Sequence, residues 1–303
     1  MTHRTQSFDW LLLAALVIAW GSSFAMTKVA VTHLDASWVM ALRLAVASVV
    51  LVPYAYANGL PLVRADTPWR KFTWLGFIGH ALPFFLITWG MHYVSSGVAG
   101  LLMGAIPLFI IVLAHFTLPD ERLTWAKAAG FVLGFAGIIV LIGPEKLLTA
   151  GFSGDELAGE LAVLGGCICY ATHAITAKRM GLENPVKQTA AVCTTGALMG
   201  LGFAAIASPG GLVGVPTSGF LAVAGLGILP TALASLILYK LLSRSGPTFV
   251  AYSNYLVPLY AVLAGALVLG EQLSWNIFAA LALILSGIAI SRMTLFAKER
   301  ALP

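Results

Sequence analysis

Of the 303 residues, 59% are hydrophobic and 10% are charged, with a mean hydropathy of +0.93. Soluble domains carry roughly 25% charged residues, so these values exclude an ordinary water-soluble fold and indicate a polytopic membrane protein. The net charge of +5 points to basic cytoplasmic loops rather than to a nucleic-acid partner.

A helix needs roughly 20 apolar residues to cross the hydrocarbon core. That length predicts an all-α fold of ten spans, at about 8–29, 36–57, 70–91, 94–117, 124–143, 157–177, 187–207, 217–240, 247–270 and 274–293. The first run, Trp10 to Ala30, is too long for a signal-peptide core and is read as a span. Short connectors separate the spans, for example Asn58-Gly59-Leu60-Pro61 and Ser208-Pro209-Gly210-Gly211. Cys167, Cys169 and Cys193 fall inside apolar runs with neither zinc nor redox spacing, and are read as small buried side chains.

A cytoplasmic N-terminus puts 14 of the 17 basic residues in inward-facing segments, from Arg4 to Arg300, against Lys28 and Lys146 outside. This asymmetry satisfies the positive-inside rule and places both termini in the cytoplasm.

The chain also repeats itself. Glu121-Arg122-Leu123-Thr124-Trp125 returns 150 residues later as Glu271-Gln272-Leu273-Ser274-Trp275, and Gly137 returns as Gly287. Trp20-Gly21-Ser22-Ser23-Phe24 corresponds to Tyr170-Ala171-Thr172-His173-Ala174, Lys28 to Lys178, Pro83 to Pro230 and Pro107 to Pro258. Repeats of five spans enter the membrane from opposite sides. Residues 1–148 and 149–303 are therefore expected to be inverted repeats of one integrated membrane domain, with a substrate site between them near the midplane.

Four prolines, Pro83, Pro107, Pro230 and Pro258, interrupt spans at matched positions. Each removes a donor and displaces the carbonyl four residues earlier, which leaves Gly79, Met103, Leu226 and Asn254 as candidate free carbonyls. Such interruptions are read as cavity lining and hinges rather than packing kinks.

All twelve acidic residues lie at span ends or in loops. Embedded carboxylates, the usual proton or sodium relays, are missing. His80 and His173 are the titratable groups deep in spans, open to interhelical packing or to substrate contact, with proton coupling a further option. Spacing puts His80 on one face with Pro83, Phe84 and Ile87, and His173 with Tyr170, Thr176 and Ala177. Arg43, roughly 10 Å from the outer end of its span, is assigned to snorkelling or to capping another helix ahead of binding a substrate carboxylate. Glu121 and Glu271 are read as structural charges at helix N-termini, with Thr124 and Ser274 as N-caps. Tyr252, Ser253, Asn254 and Tyr255, just ahead of Pro258, are assigned to a pocket in preference to an interfacial aromatic belt. The expected cavity residues are thus Trp20, Ser23, His80, Pro83, Pro107, Tyr170, His173, Pro230, Tyr252, Asn254, Tyr255 and Pro258.

Two five-span repeats, each with a proline-broken helix, a Glu-x-Leu-(Thr/Ser)-Trp connector and a glycine-bearing last helix, resemble the EamA family of the drug/metabolite transporter superfamily. The resemblance runs from about Trp10 to Met293. Within the family the chain is most similar to YddG-type exporters of aromatic and other neutral amino acids. That resemblance implies inner-membrane export of a small zwitterion by alternating access, with drug, dye or metabolite export as the rival. The expected partners are a small-molecule substrate and the lipid bilayer, with no nucleic acid; a monomer suffices. No cofactor, metal or catalytic residue is expected, and an intramembrane enzyme, for which only His173 with Ser22 or Ser23 comes to hand, is the remote alternative.

Overall fold

The computed structural model describes residues 7–63, 67–118, 123–143, 154–181 and 184–300, with backbone alone at 248 and 292–300. Its helices are α1 (Ser7–Val31), α2 (Ala36–Ala57), α3 (Trp69–Gly90), α4 (Ser96–Thr117), α5 (Trp125–Ile142), α6 (Asp155–Met180), α7 (Pro185–Ala207), α8 (Thr217–Pro247), α9 (Ser253–Leu269) and α10 (Trp275–Arg300). Among the described residues there is no strand. The first eight are long and apolar enough to cross a membrane, and α9 and α10 are shorter apolar helices. Each of the ten expected spans therefore has its helix. The main departure is at the α8–α9 junction. There α8 runs on to a break at Gly246, whose φ of 75° suits glycine, and α9 starts only at Ser253.

Local sequence explains several ends. Thr124 Oγ1 accepts from the Lys127 N–H at 3.3 Å and caps α5, as expected. Asn184 Oδ1 accepts from Val186 and Lys187 at 3.0 and 3.1 Å ahead of α7, where Pro185 occupies the first turn, which needs no donor. Ser274 instead bonds the Asn276 side chain.

The helices pair in matched sets. α2 packs along α7 and α5 along α10; α1 packs on α8 and α9, while α6 packs on α3 and α4; α2 also meets α8 as α7 meets α3. In a bilayer no hydrophobic force pulls helices together, so close approach depends on small residues. The α5–α10 seam shows this: a Cβ on Gly130 would lie 2.4 Å from the Gly287 carbonyl oxygen, and one on Gly287 would lie 2.5 Å from that of Gly130. Cys167, Cys169 and Cys193 are free and buried.

Charges tie the ends together. Lys28 Nζ donates to the Met91 and Val94 carbonyls at 2.7 and 2.8 Å, a cation at the C-terminal end of α3. In the same turn, partial burial and then the Lys28 charge hold His92 below the ordinary imidazole range, so it is neutral at physiological pH. Asp9 accepts from Arg244 Nε at 2.7 Å and joins α1 to α8.

Glu271 does cap a helix N-terminus, but not that of α10, which follows it. Its two oxygens accept from the Ser96 and Gly97 N–H groups, at 2.6 and 2.9 Å, at the start of α4. Glu121, its counterpart, lies outside the described residues. Glu271→Ala is expected to cost about 1–2 kcal/mol by orphaning those donors, seen as a lower melting temperature in detergent. An unchanged melting temperature contradicts the cap.

Candidate functional site

Eight of the helices enclose a cavity of about 400 Å³, within the range of roughly 300–1,000 Å³ typical of small-molecule sites. α1 contributes Trp20, Ser23, Phe24 and Thr27; α2 contributes Arg43; α3 contributes Gly79, His80, Phe84, Ile87 and Thr88. From α4 come Met103, Gly104, Ile106 and Pro107, and from α6 come Tyr170 and His173. The remaining wall is Gln188, Thr189 and Val192 of α7, five residues of α8 from Pro230 to Tyr239, and Ser253, Asn254, Val257 and Pro258 of α9. Among the described residues α5 and α10 contribute none of the lining; they pack on one another in a seam.

The backbone is irregular where the cavity is widest in polar groups. Phe77–Ala81 of α3 and Gly227–Leu233 of α8 are π-helical, about 150 residues apart, and Met103–Ala105 of α4 is a 3₁₀ turn just before Pro107. A π segment puts an extra residue into the turn. This accommodates Pro83 and Pro230 and shifts the phase of everything that follows.

Of the twelve residues expected at the site, nine line the cavity: Trp20, Ser23, His80, Pro107, Tyr170, His173, Pro230, Asn254 and Pro258. The other three lie elsewhere. Pro83 is buried against α6, its carbonyl oxygen 3.4 Å from where a Gly166 Cβ would sit. The π segment rotates it off the face that His80 shares with Phe84 and Ile87. Thr176 and Ala177, one turn beyond His173, are not among the lining residues, and Ala177 packs on the α2–α3–α7 core. Tyr252 is 43% exposed and stacks on Trp10 at 6.1 Å beside Phe249. It occupies the turn before α9 rather than a position one or two turns into that helix, which makes it part of an aromatic surface cluster. Tyr255 packs against the core formed by α1, α4, α6, α9 and α10.

Two of the four carbonyls expected to be free are taken. The Leu226 oxygen accepts from the Thr231 hydroxyl at 2.8 Å, and the Met103 oxygen accepts from the Ile106 N–H. Several hydroxyls are also committed: Ser23 donates to the Trp20 carbonyl at 2.6 Å, Ser253 to Val250 at 2.8 Å, and Thr189 pairs with Tyr239.

Other groups are unspent. His80 and His173 meet edge to face with centroids 6.0 Å apart, and His80 Nδ1 and His173 Nε2 are buried without a hydrogen-bond partner. Phe84 stands edge-on to both His80 and Tyr170, at 5.6 and 6.2 Å. Arg43 is buried and neither snorkels to the surface nor sits idle. Its Nε donates to Thr231 Oγ1 at 2.8 Å and its guanidinium lies 4.0 Å from the Phe84 centroid. Sequence pattern missed Thr231, Gln188, Thr189 and Tyr239; none stands out until helices from both halves of the chain are brought together.

Aromatic faces plus a few unpartnered polar atoms suit a ligand with a compact apolar body and a polar end. Among the described residues the lining includes one formal charge, Arg43, and no carboxylate. Among the described residues no cluster of three or more His, Cys, Asp or Glu could hold a metal.

Comparison with known proteins adds a family. The model of the EamA-like transporter family matches twice, over residues 8–143 and 157–293. An uncharacterized transporter of Archaeoglobus fulgidus is 27% identical over 93% of this chain and 97% of its own. A protein of Streptantibioticus cattleyicolor named as a "probable terminal-alkyne amino-acid exporter" is 29% identical over 86% of this chain and 85% of its own. The inner membrane transporter YedA of Escherichia coli K12, itself uncharacterized, is 28% identical over 92% and 88%. A crystal structure with 23% identity superposes with a TM-score of 0.68, covering 97% of this chain and all of that one; at that identity the match speaks to fold alone.

Proposed function

The chain belongs to the EamA-like transporter family, and from that premise we propose that it is a multi-pass inner-membrane exporter of amino acids, aromatic and other neutral ones, working by alternating access. The central cavity is the substrate site. The observation that carries this reading is the composition of its wall: aromatic and apolar faces around unpartnered polar nitrogens, with no carboxylate among the described lining residues. A cationic drug or dye would want an acidic partner in a low-dielectric site. A zwitterion can place its carboxylate near Arg43 and its ammonium on an aromatic face.

Two further features support the architecture assumed here. The family model matches each half of the chain, and each of these pairings between the halves has its counterpart when the halves are exchanged. Inverted five-helix repeats with both termini cytoplasmic, 1–148 and 149–303, explain both, since pseudo-two-fold symmetry makes each interface occur twice. Rocking of one set of helices against the other then opens the cavity to each side in turn. The π segments, where backbone hydrogen bonding is already irregular, are the natural points of bending.

Transport without chemistry fits the site better than catalysis. Ser23, one of the two hydroxyls that could pair with His173, donates to its own helix, and Ser22 donates to the Tyr260 hydroxyl at 3.3 Å. Neither of these hydroxyls is paired with His173, as a nucleophile and its base would be.

The test is efflux. Cells loaded with labelled phenylalanine should lose it faster when the protein is expressed, and amino acids should compete while cationic dyes do not. Efflux equal to that of the empty-vector strain, or competition by dyes alone, refutes amino-acid export.

A further inference from the structure

One side chain in the cavity has a charge that the protein leaves unanswered. Arg43 is 8% exposed. A guanidinium presents five N–H donors and stays protonated. The Nε–H is used on Thr231, and the plane is braced against Phe84. Among the described residues the Nη groups make no hydrogen bond and no carboxylate lines the cavity. The ion pair Asp9–Arg244 belongs to a different junction, between α1 and α8. A charge buried without a counter-ion is costly unless a ligand supplies one.

The close contact of α8 with Arg43 is made through the Arg43 backbone and does not use its guanidinium. A Cβ on Gly227 of α8 would meet the Arg43 carbonyl oxygen of α2 at 2.8 Å. A Cβ on Gly76 of α3 would meet the Val192 carbonyl oxygen of α7 at 2.9 Å. These are corresponding crossings. One closes on an arginine carbonyl and the other on a valine carbonyl, and neither contact involves a charged group.

The neighbours complete a receptor. His80 Nδ1 and His173 Nε2 are buried, line the same cavity and lack partners. Thr231 does two jobs at once, accepting from Arg43 and donating to the Leu226 carbonyl inside the irregular stretch of α8.

Resting on the transporter reading above, we infer that Arg43 is the receptor for a carboxylate on the transported molecule, held in orientation by Thr231 and Phe84. The substrate class is then a monocarboxylate with a compact apolar or aromatic body, whether or not it also has an ammonium. A planar fork matches a carboxylate with two parallel hydrogen bonds, which a lysine cannot do. Thr231 is a positioning residue, and through it an occupied Arg43 is tied to the π segment of α8.

The experiment measures binding to the purified full-length protein by calorimetry, with four probes sharing one ring: phenylalanine, phenylpropionate, phenylalaninamide and phenylethylamine. Expected is binding of the two acids, with the amide and the amine weaker on the order of tenfold or more. In Arg43→Gln acids and amide should bind alike. Arg43→Lys, which keeps the charge but loses the fork, should weaken the acids on the order of tenfold. Thr231→Val should weaken them too, with Thr231→Ser restoring them. A folded Arg43→Gln protein that still prefers acid to amide overturns the inference. Should that variant not fold, Arg43→Lys decides: acid affinity equal to wild type overturns it. Wild type binding none of the acids, or amide and amine as well as acids, overturns it as well. Phenylpropionate binding without phenylalanine binding leaves Arg43 as the receptor and refutes the amino-acid reading instead.

Discussion

Replacing Gly287 by alanine is expected to destabilise the protein strongly, as is the reciprocal change at Gly130 across the α5–α10 seam. The new Cβ would stand 2.5 Å from the Gly130 carbonyl oxygen, 2.6 Å from the Gly134 nitrogen and 2.8 Å from the Gly134 Cα. All three are backbone atoms, so no rotamer change relieves the contact and α10 must draw away from α5. Overpacking of this kind costs about 1–3 kcal/mol, at the upper end where the neighbour is rigid. The gain from replacing glycine by alanine in a helix, about 0.4–1 kcal/mol, is too small to reverse the sign. In detergent, a fall of about 4 °C in melting temperature is expected. Gly134→Ala should be milder, because its Cβ meets the end of the Leu108 side chain at 2.6 Å. Gly165→Ala, with only Leu86 Cδ1 at 3.5 Å, should be neutral. Equal melting of all three variants contradicts this packing.

Gly79→Ala should do the opposite, sparing the fold while damaging transport. Its Cβ would fall 2.2 Å from His173 Cδ2 and 2.6 Å from Cγ. The obstacle is a side chain that can swing, so the helices need not separate. The imidazole must leave its place beside His80, however, and the cavity changes shape and loses a donor. A loss of transport rate on the order of tenfold or more, about 1.4 kcal/mol, is expected with little change in melting temperature. In a His173→Ala background the same substitution should add almost nothing, since the two act through one ring. Unimpaired transport, or additive losses, contradicts the placement of His173 in the substrate's path.

Ten helices were legible from hydropathy, because the bilayer imposes a length on every crossing. The junction between the eighth and ninth was not. Its break depends on Gly246 adopting a positive φ, and with the shift in helix start Tyr252 moved from the expected pocket to the surface. Pro83 was lost for a related reason: periodicity assumes 3.6 residues per turn, and the π segment before it violates that. Nine cavity residues were legible because prolines, histidines and polar aromatics are anomalous in an apolar helix. Arg43 stands out in the sequence, but the snorkelling expected of it gives way to a bond with Thr231, 188 residues away. Glu271 was recognised as a cap, yet the helix it caps begins 175 residues earlier in the chain. Long-range pairing of this kind leaves no local pattern to read.

The most direct test is counterflow in liposomes containing only the purified protein. Vesicles loaded with unlabelled phenylalanine should accumulate labelled phenylalanine from outside, phenylpropionate or another neutral amino acid should compete, and a cationic dye should not. Accumulation no greater than in protein-free vesicles, or competition by the dye alone, contradicts a central cavity built for amino acids.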